Sequence, residues 1–147
     1  MLTAAAYDIH MDQLFERMRR FHSALETAGI PYRIIGGVSA FMHVFDKEPD
    51  QARTTRDVDA AISREDLPRI IQAAEAAGFR YRHVAGIDML VDADQPSARS
   101  AVHLVFLNEK VRPTDLSEIP SSPPVRTQEG IYICSVADLV RMKLTSF

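Results

Sequence analysis

The stretch that most constrains this chain is Arg53-Thr-Thr-Arg-Asp-Val-Asp-Ala-Ala-Ile62, read together with the glycine pair Gly36-Gly37 upstream of it. Successive side chains on a strand point to opposite faces, so a strand over 57–62 puts Asp57 and Asp59 on one face and Val58, Ala60 and Ile62 against the interior. Two carboxylates held that close repel unless a cation, a proton or a basic neighbour joins them. A D-x-D strand beside a glycine turn therefore predicts a metal site with Asp57 and Asp59 as oxygen ligands. Without the glycine turn, the same pair also suits a solvated strand end paired with Arg53 and Arg56.

The turn has its own logic. Tyr32-Arg-Ile-Ile35 predicts a short buried strand, and Val38 to Phe45 runs without a breaker and predicts a short helix. Strand, glycines and helix start follow in that order. Unpaired N–H groups at a helix start, approached through residues without side chains, form a site for phosphate oxygens. Such a turn also occurs where glycine serves only tight packing.

Around this centre the chain predicts alternating elements. Met11, Leu14, Met18, Phe21 and Leu25 recur at helical spacing and predict a helix from about Asp8 to Ala28, stopped by Gly29 and Pro31. A loop is expected over 46–52 and a helix from Ser63 or Asp66 to Gly78. Strands are expected over 79–84 and 87–91, with a turn at Ala85-Gly86. Ala101 to Leu107 is the strongest strand signal of the second half and puts His103, Val105 and Leu107 on one face. Residues 110–124 hold four prolines and predict an extended surface arm. A last short strand over 131–134 and a helix opening at Ser135, with Asp138 at capping-box spacing, complete the chain. The fold class expected is α/β (α+β): one domain over 1–147, with a mixed β-sheet flanked by helices.

Composition narrows the function. A net charge of −3 lacks the basic excess of a domain that grips nucleic acid through phosphates, so general nucleic-acid binding is not expected. The single cysteine, Cys134, lies in an apolar run and reads as a buried structural thiol. Neither a basic, apolar leader nor a membrane-spanning run is present, and a cytoplasmic protein is expected. His10, His22, His43 and His83 show no mutual ligand spacing and read as structural.

The order of helix, strand, Gly-Gly turn, short helix and D-x-D strand resembles the nucleotidyltransferase superfamily that includes DNA polymerase β, minimal nucleotidyltransferases and the AbiEii-type toxins. The residues that match are Gly36, Gly37 and Ser39, then Asp57 and Asp59. Arg53-Thr-Thr-Arg-Asp57 and the helical Lys143 are similar to the toxin-like branch. The resemblance implies an α/β nucleotidyltransferase-like fold. It also implies transfer of a nucleoside monophosphate from a nucleoside triphosphate to an unknown hydroxyl acceptor, with Mg²⁺ or Mn²⁺ held by Asp57 and Asp59.

Gly36, Gly37, Ser39, Arg53, Arg56 and Lys143 would bind nucleotide. The family carries a third carboxylate on a later strand, where this chain has His103. His103 is then either a catalytic substitute or a hydrogen-bonded strand histidine, and Asp88 and Glu109, neither at the motif's own place, are the alternative acids. Loss of catalysis, leaving a nucleotide- or partner-binding module within a toxin–antitoxin pair, is the alternative expectation. Lys143 also reads as an ordinary helix charge. The apolar face of the last helix, with Leu139, Val140, Met142 and Leu144, predicts self-association or an antitoxin partner.

Overall fold

The computed structural model describes residues 4–45, 58–96 and 100–145. Arg53, Arg56 and Asp57 lie outside the described residues. The elements run α1 (Ala4–Ala28), β1 (Arg33–Ile35), α2 (Gly36–Phe45), β2 (Val58–Ile62), a 3₁₀ turn (Arg64–Asp66), α3 (Leu67–Ala76), β3 (Phe79–Val84), β4 (Ile87–Asp92), β5 (Val102–Phe106), β6 (Val125–Arg126), β7 (Tyr132–Ile133) and α4 (Val136–Thr145).

The strands form one mixed sheet in the order β3-β4-β5-β2-β1-β7-β6. β2 pairs with β5 in parallel and with β1 antiparallel. The class expected from the sequence, a mixed sheet flanked by helices, is the class observed.

Alternation along the central strands divides the sheet into two faces. Val58, Ala60 and Ile62 of β2 and Val102, Leu104 and Phe106 of β5 join the main core beneath α1 and α3. Burying each of the valine, leucine, isoleucine and phenylalanine side chains among them contributes roughly 1.5–3 kcal/mol, which fixes the register against a one-residue slip. The apolar stripe of α1 closes this side, with Leu14, Met18, Phe21 and Leu25 all at 1% exposure or less. On the other face, Ile35, Ala61 and Cys134 form a smaller core under Leu139 and Met142 of α4.

Most strand and helix ends fall within a few residues of the sequence expectation, β6 was not expected, and larger differences occur at α1, α2 and the segment 110–124. α1 begins at Ala4, four residues before Asp8, because Ala4, Ala5 and Ala6 are strong helix formers and nothing there breaks the turn. α2 begins at Gly36, so the glycines form its first turn instead of a connection before it. The segment 110–124 is tied back to the sheet by Ile119, which bridges Leu107 and is itself buried. Among the described residues no helix is long and apolar enough to cross a membrane.

Candidate functional site

The site is built where β1, β2, β5 and the start of α2 meet. The ladder pairs Ile35 with Asp59 and Asp59 with His103. The same register that sends Val58 and Ala60 into the core turns the Asp59 side chain to the other face, beside the imidazole of His103. His103 Nδ1 lies 3.5 Å from Asp59 Oδ1, with the two side chains 23% and 34% exposed. These neighbours attract as an ion pair when the ring is protonated. Both stay within reach of solvent.

Gly36 explains why this corner needs a residue without a side chain. Its φ of +68° lies in the left-handed region, and a Cβ there would meet Asp59 Oδ2 at 2.9 Å. Backbone conformation and the closeness of the carboxylate therefore both select glycine. The first turn of α2 leaves backbone N–H groups without helical partners, and Gly36, which opens that turn, lies against the Asp59 carboxylate.

Ser39 is fully buried and turned inward. Its hydroxyl donates to the Gly36 carbonyl at 2.8 Å and accepts from the Cys134 thiol at 3.4 Å. These contacts brace the turn from within. Burial raises the Cys134 pKa, as expected of the structural thiol read from the sequence, although the Ser39 hydrogen bond opposes that shift. His43 bonds the Cys134 carbonyl at 2.9 Å, tying α2 to the strand behind it.

A cavity of about 670 Å³ opens from the same corner. Gly36 and Gly37 line one end, and Ile35, Leu139 and Met142 form apolar walls. Lys143 of α4 and the Arg112–Asp115 pair also line it. The structure thus brings Gly36, Gly37 and Lys143 to one cavity, with Asp59 and His103 behind Gly36. Sequence reading missed Arg112 and Asp115. Their three-residue spacing is the only local signal, in a proline-rich segment without periodicity.

Neither acid weighed as a stand-in for the third carboxylate faces Asp59. Asp88 pairs with Leu104 on β5, which puts it on the face opposite His103, where it accepts bonds from Tyr81 and His83. Glu109 lies beyond the far end of β5 and takes a two-pronged grip from Arg64 that lowers its pKa. His103 itself occupies the place in register with Asp59.

Among the described residues no group of three or more His, Cys, Asp or Glu side chains is arranged to hold a metal ion. The described donors are one half-open carboxylate and one imidazole. The carboxylate suits Mg²⁺, and the imidazole suits softer metals.

No protein-family model and no curated protein sequence matches the chain. Solved structures do. A solution structure of the antibiotic-resistance factor ANT(2'')-Ia matches with a TM-score of 0.59 at 13% identity, covering 89% of this chain and 69% of that one. A crystal structure of ANT(2'')-Ia in complex with adenylyl-2''-tobramycin matches with a TM-score of 0.56 at 14% identity, covering 90% of this chain and 74% of that one. The fold is nucleotidyltransferase-like. In this fold the Gly-Gly turn and the Asp59 strand are adjacent through the β1–β2 pairing, although they are far apart in sequence.

Proposed function

We propose that the protein transfers a nucleoside monophosphate from a nucleoside triphosphate to a hydroxyl acceptor. The observation that carries this reading is the contact between the Gly36 turn and Asp59. It supports the reading because Gly36, at a helix start of the kind that suits phosphate oxygens, lies against the Asp59 carboxylate and also lines a cavity of ligand size. Gly36 and Gly37 receive the triphosphate through backbone N–H groups. Lys143 and Arg112 offset its charge from the cavity side.

Asp59 and Asp57 would hold Mg²⁺, which supplies charge stabilisation on the attacking and leaving oxygens when bound. Arg53 and Arg56 belong to the phosphate site by their place in the motif. His103 stands beside Asp59 and can take the acceptor hydroxyl's proton as that oxygen attacks the α-phosphorus and the bond to the departing pyrophosphate breaks. An aminoglycoside hydroxyl, as in the adenylyl-2''-tobramycin of the structural neighbour, is one acceptor to test.

A second reading is nucleotide or partner binding without transfer, in the manner of a degenerate member of the toxin-like branch within a toxin–antitoxin pair. The observation favouring it is His103 in register with Asp59 where the family carries an acid. Incubation with each α-³²P nucleoside triphosphate and Mg²⁺, with tobramycin and with a cell extract as acceptors, separates the two. Label transferred by the wild type and lost in Asp57→Asn/Asp59→Asn supports transfer. Nucleotide binding without transferred label, together with a gain of transfer in His103→Asp, supports the degenerate reading.

A further inference from the structure

The cavity beside the Gly36 corner has two ends. Gly36 and Gly37 line it at one, and Glu118 and Ile119 line it at the other. Register gives the span between them. Asp59, which lies against Gly36, is in register with His103, and Leu107, which bridges Ile119, lies four residues beyond His103 on the same run of chain. Four residues of extended chain cover about 13 Å. Between the ends the walls are apolar, with Ile35, Leu139 and Met142 packed in one small core with Ile119.

Backbone holds the far end in place. The Ile119 N–H donates to the Glu109 carbonyl at 2.8 Å, and the Ile119 carbonyl accepts from the Asn108 N–H at 2.9 Å. Glu118 therefore springs from a pinned segment. The described lining of the cavity holds two carboxylates, Asp115 and Glu118. Both oxygens of Asp115 accept from Arg112, one from its backbone N–H at 2.9 Å and one from its Nε at 3.3 Å. Glu118 is the carboxylate at the end away from the glycines.

We propose that Glu118 reads the base of the donor nucleotide and that this base is guanine. The inference rests on the nucleotidyl-transfer reading for the site and names which nucleotide the site takes. With the triphosphate at Gly36 and Gly37, an extended nucleoside runs along the apolar walls and its base reaches Glu118. A carboxylate only accepts hydrogen bonds, and it has two oxygens to fill. On the pairing edge of guanine, N1–H and the N2 amine stand side by side as donors, one for each oxygen, and bonds to a charged acceptor are the strong ones. Adenine and cytosine offer one amine beside a ring-nitrogen lone pair, which a carboxylate oxygen repels. Uracil flanks its one N–H with two carbonyls. Guanine alone satisfies both oxygens.

Ser117 and Glu118 also line a second, polar cavity of about 630 Å³, so the reading end is wet. Water competes there for the same hydrogen bonds, which sets the expected preference at about tenfold, below the ratios of a fully buried polar site. A solvated rim charge with no part in binding would treat the four bases alike.

The test is the Kd of ATP, GTP, CTP, UTP and inosine triphosphate, each with Mg²⁺, measured by isothermal titration calorimetry for the wild type and for Glu118→Gln. GTP is expected to bind about tenfold tighter than ATP, CTP or UTP, with inosine triphosphate, which keeps N1–H and lacks the N2 amine, in between. In Glu118→Gln the advantage of GTP is expected to vanish while ATP binds no more weakly than before. GTP binding no tighter than ATP in the wild type, a preference that survives Glu118→Gln, or an equal loss for every nucleotide in that variant overturns the inference. Binding of all five without preference leaves the nucleotidyl-transfer reading standing, whereas binding of none overturns that reading and the inference with it. The affinities are read without turnover, so a protein that binds and does not transfer still shows its base preference.

Discussion

The two faces of β2 and β5 carry opposite chemistry on adjacent residues. Leu104 sits in the main core beneath α1 and α3, and His103, one residue earlier, looks the other way toward Asp59. Packing on the first face sets the strand register, and the register delivers the polar pair on the second. The difference teaches that the site is a by-product of core alternation: a slip of one residue would bury Asp59 and expose Ala60.

Substitutions can break this comparison in order of effect. Leu104→Ala is expected to destabilise the protein by about 2–5 kcal/mol, measured by denaturant unfolding, because the closed core cannot collapse around the missing atoms. An effect no larger than that of His103→Ala would contradict the division into a load on one face and chemistry on the other. Gly36→Ala is next, at about 1–3 kcal/mol, since a side chain there is strained by the positive φ and meets the Asp59 carboxylate. It should also weaken nucleotide binding, which equilibrium dialysis would read.

Tyr81→Phe probes the core face at the sheet's far side. The Tyr81 hydroxyl donates to Asp88, and that bond, with burial and the carboxylate's charge, pushes the phenol's pKa up to about 12. A tyrosine in the unfolded chain titrates near 10. The folded state therefore keeps this group protonated longer, so its stabilisation is whole below about pH 10 and is lost as pH rises toward 12. Tyr81→Phe should cost about 1 kcal/mol at neutral pH and flatten the alkaline fall in stability. His103→Ala is expected to change stability least, by under about 1 kcal/mol, because its pairing with Asp59 is partly solvated.

Much of this was legible in the sequence where local periodicity carried it. The alternation of β2 and β5, the apolar stripe of α1 and the turn glycines each follow from short-range rules. The start of α2 at Gly36 was not legible, because glycine has low helix propensity, and the positive φ and neighbouring carboxylate that select it there exist only in the folded chain. The closeness of His103 to Asp59 was anticipated from motif order, yet their pairing depends on parallel β2–β5 register, which no local pattern encodes. Asp88 illustrates the same limit: its distance in sequence was compatible with a stand-in acid, and the antiparallel pairing with Leu104 turns it away. Arg112 and Asp115 lie in a segment that Ile119 ties back to Leu107 by a bridge and to Asn108 and Glu109 by backbone hydrogen bonds, long-range pairings invisible to periodicity.

The most direct test of the central claim is the melting temperature with Mg²⁺ and each of ATP, GTP, CTP and UTP, for the wild type and for Asp57→Asn/Asp59→Asn. At a nucleotide concentration one hundred times Kd, the wild type should gain about 2.7 kcal/mol, a rise of roughly 5–10 °C for a domain of this size. The account predicts that the double variant folds and loses that rise. An equal rise in both proteins would contradict it.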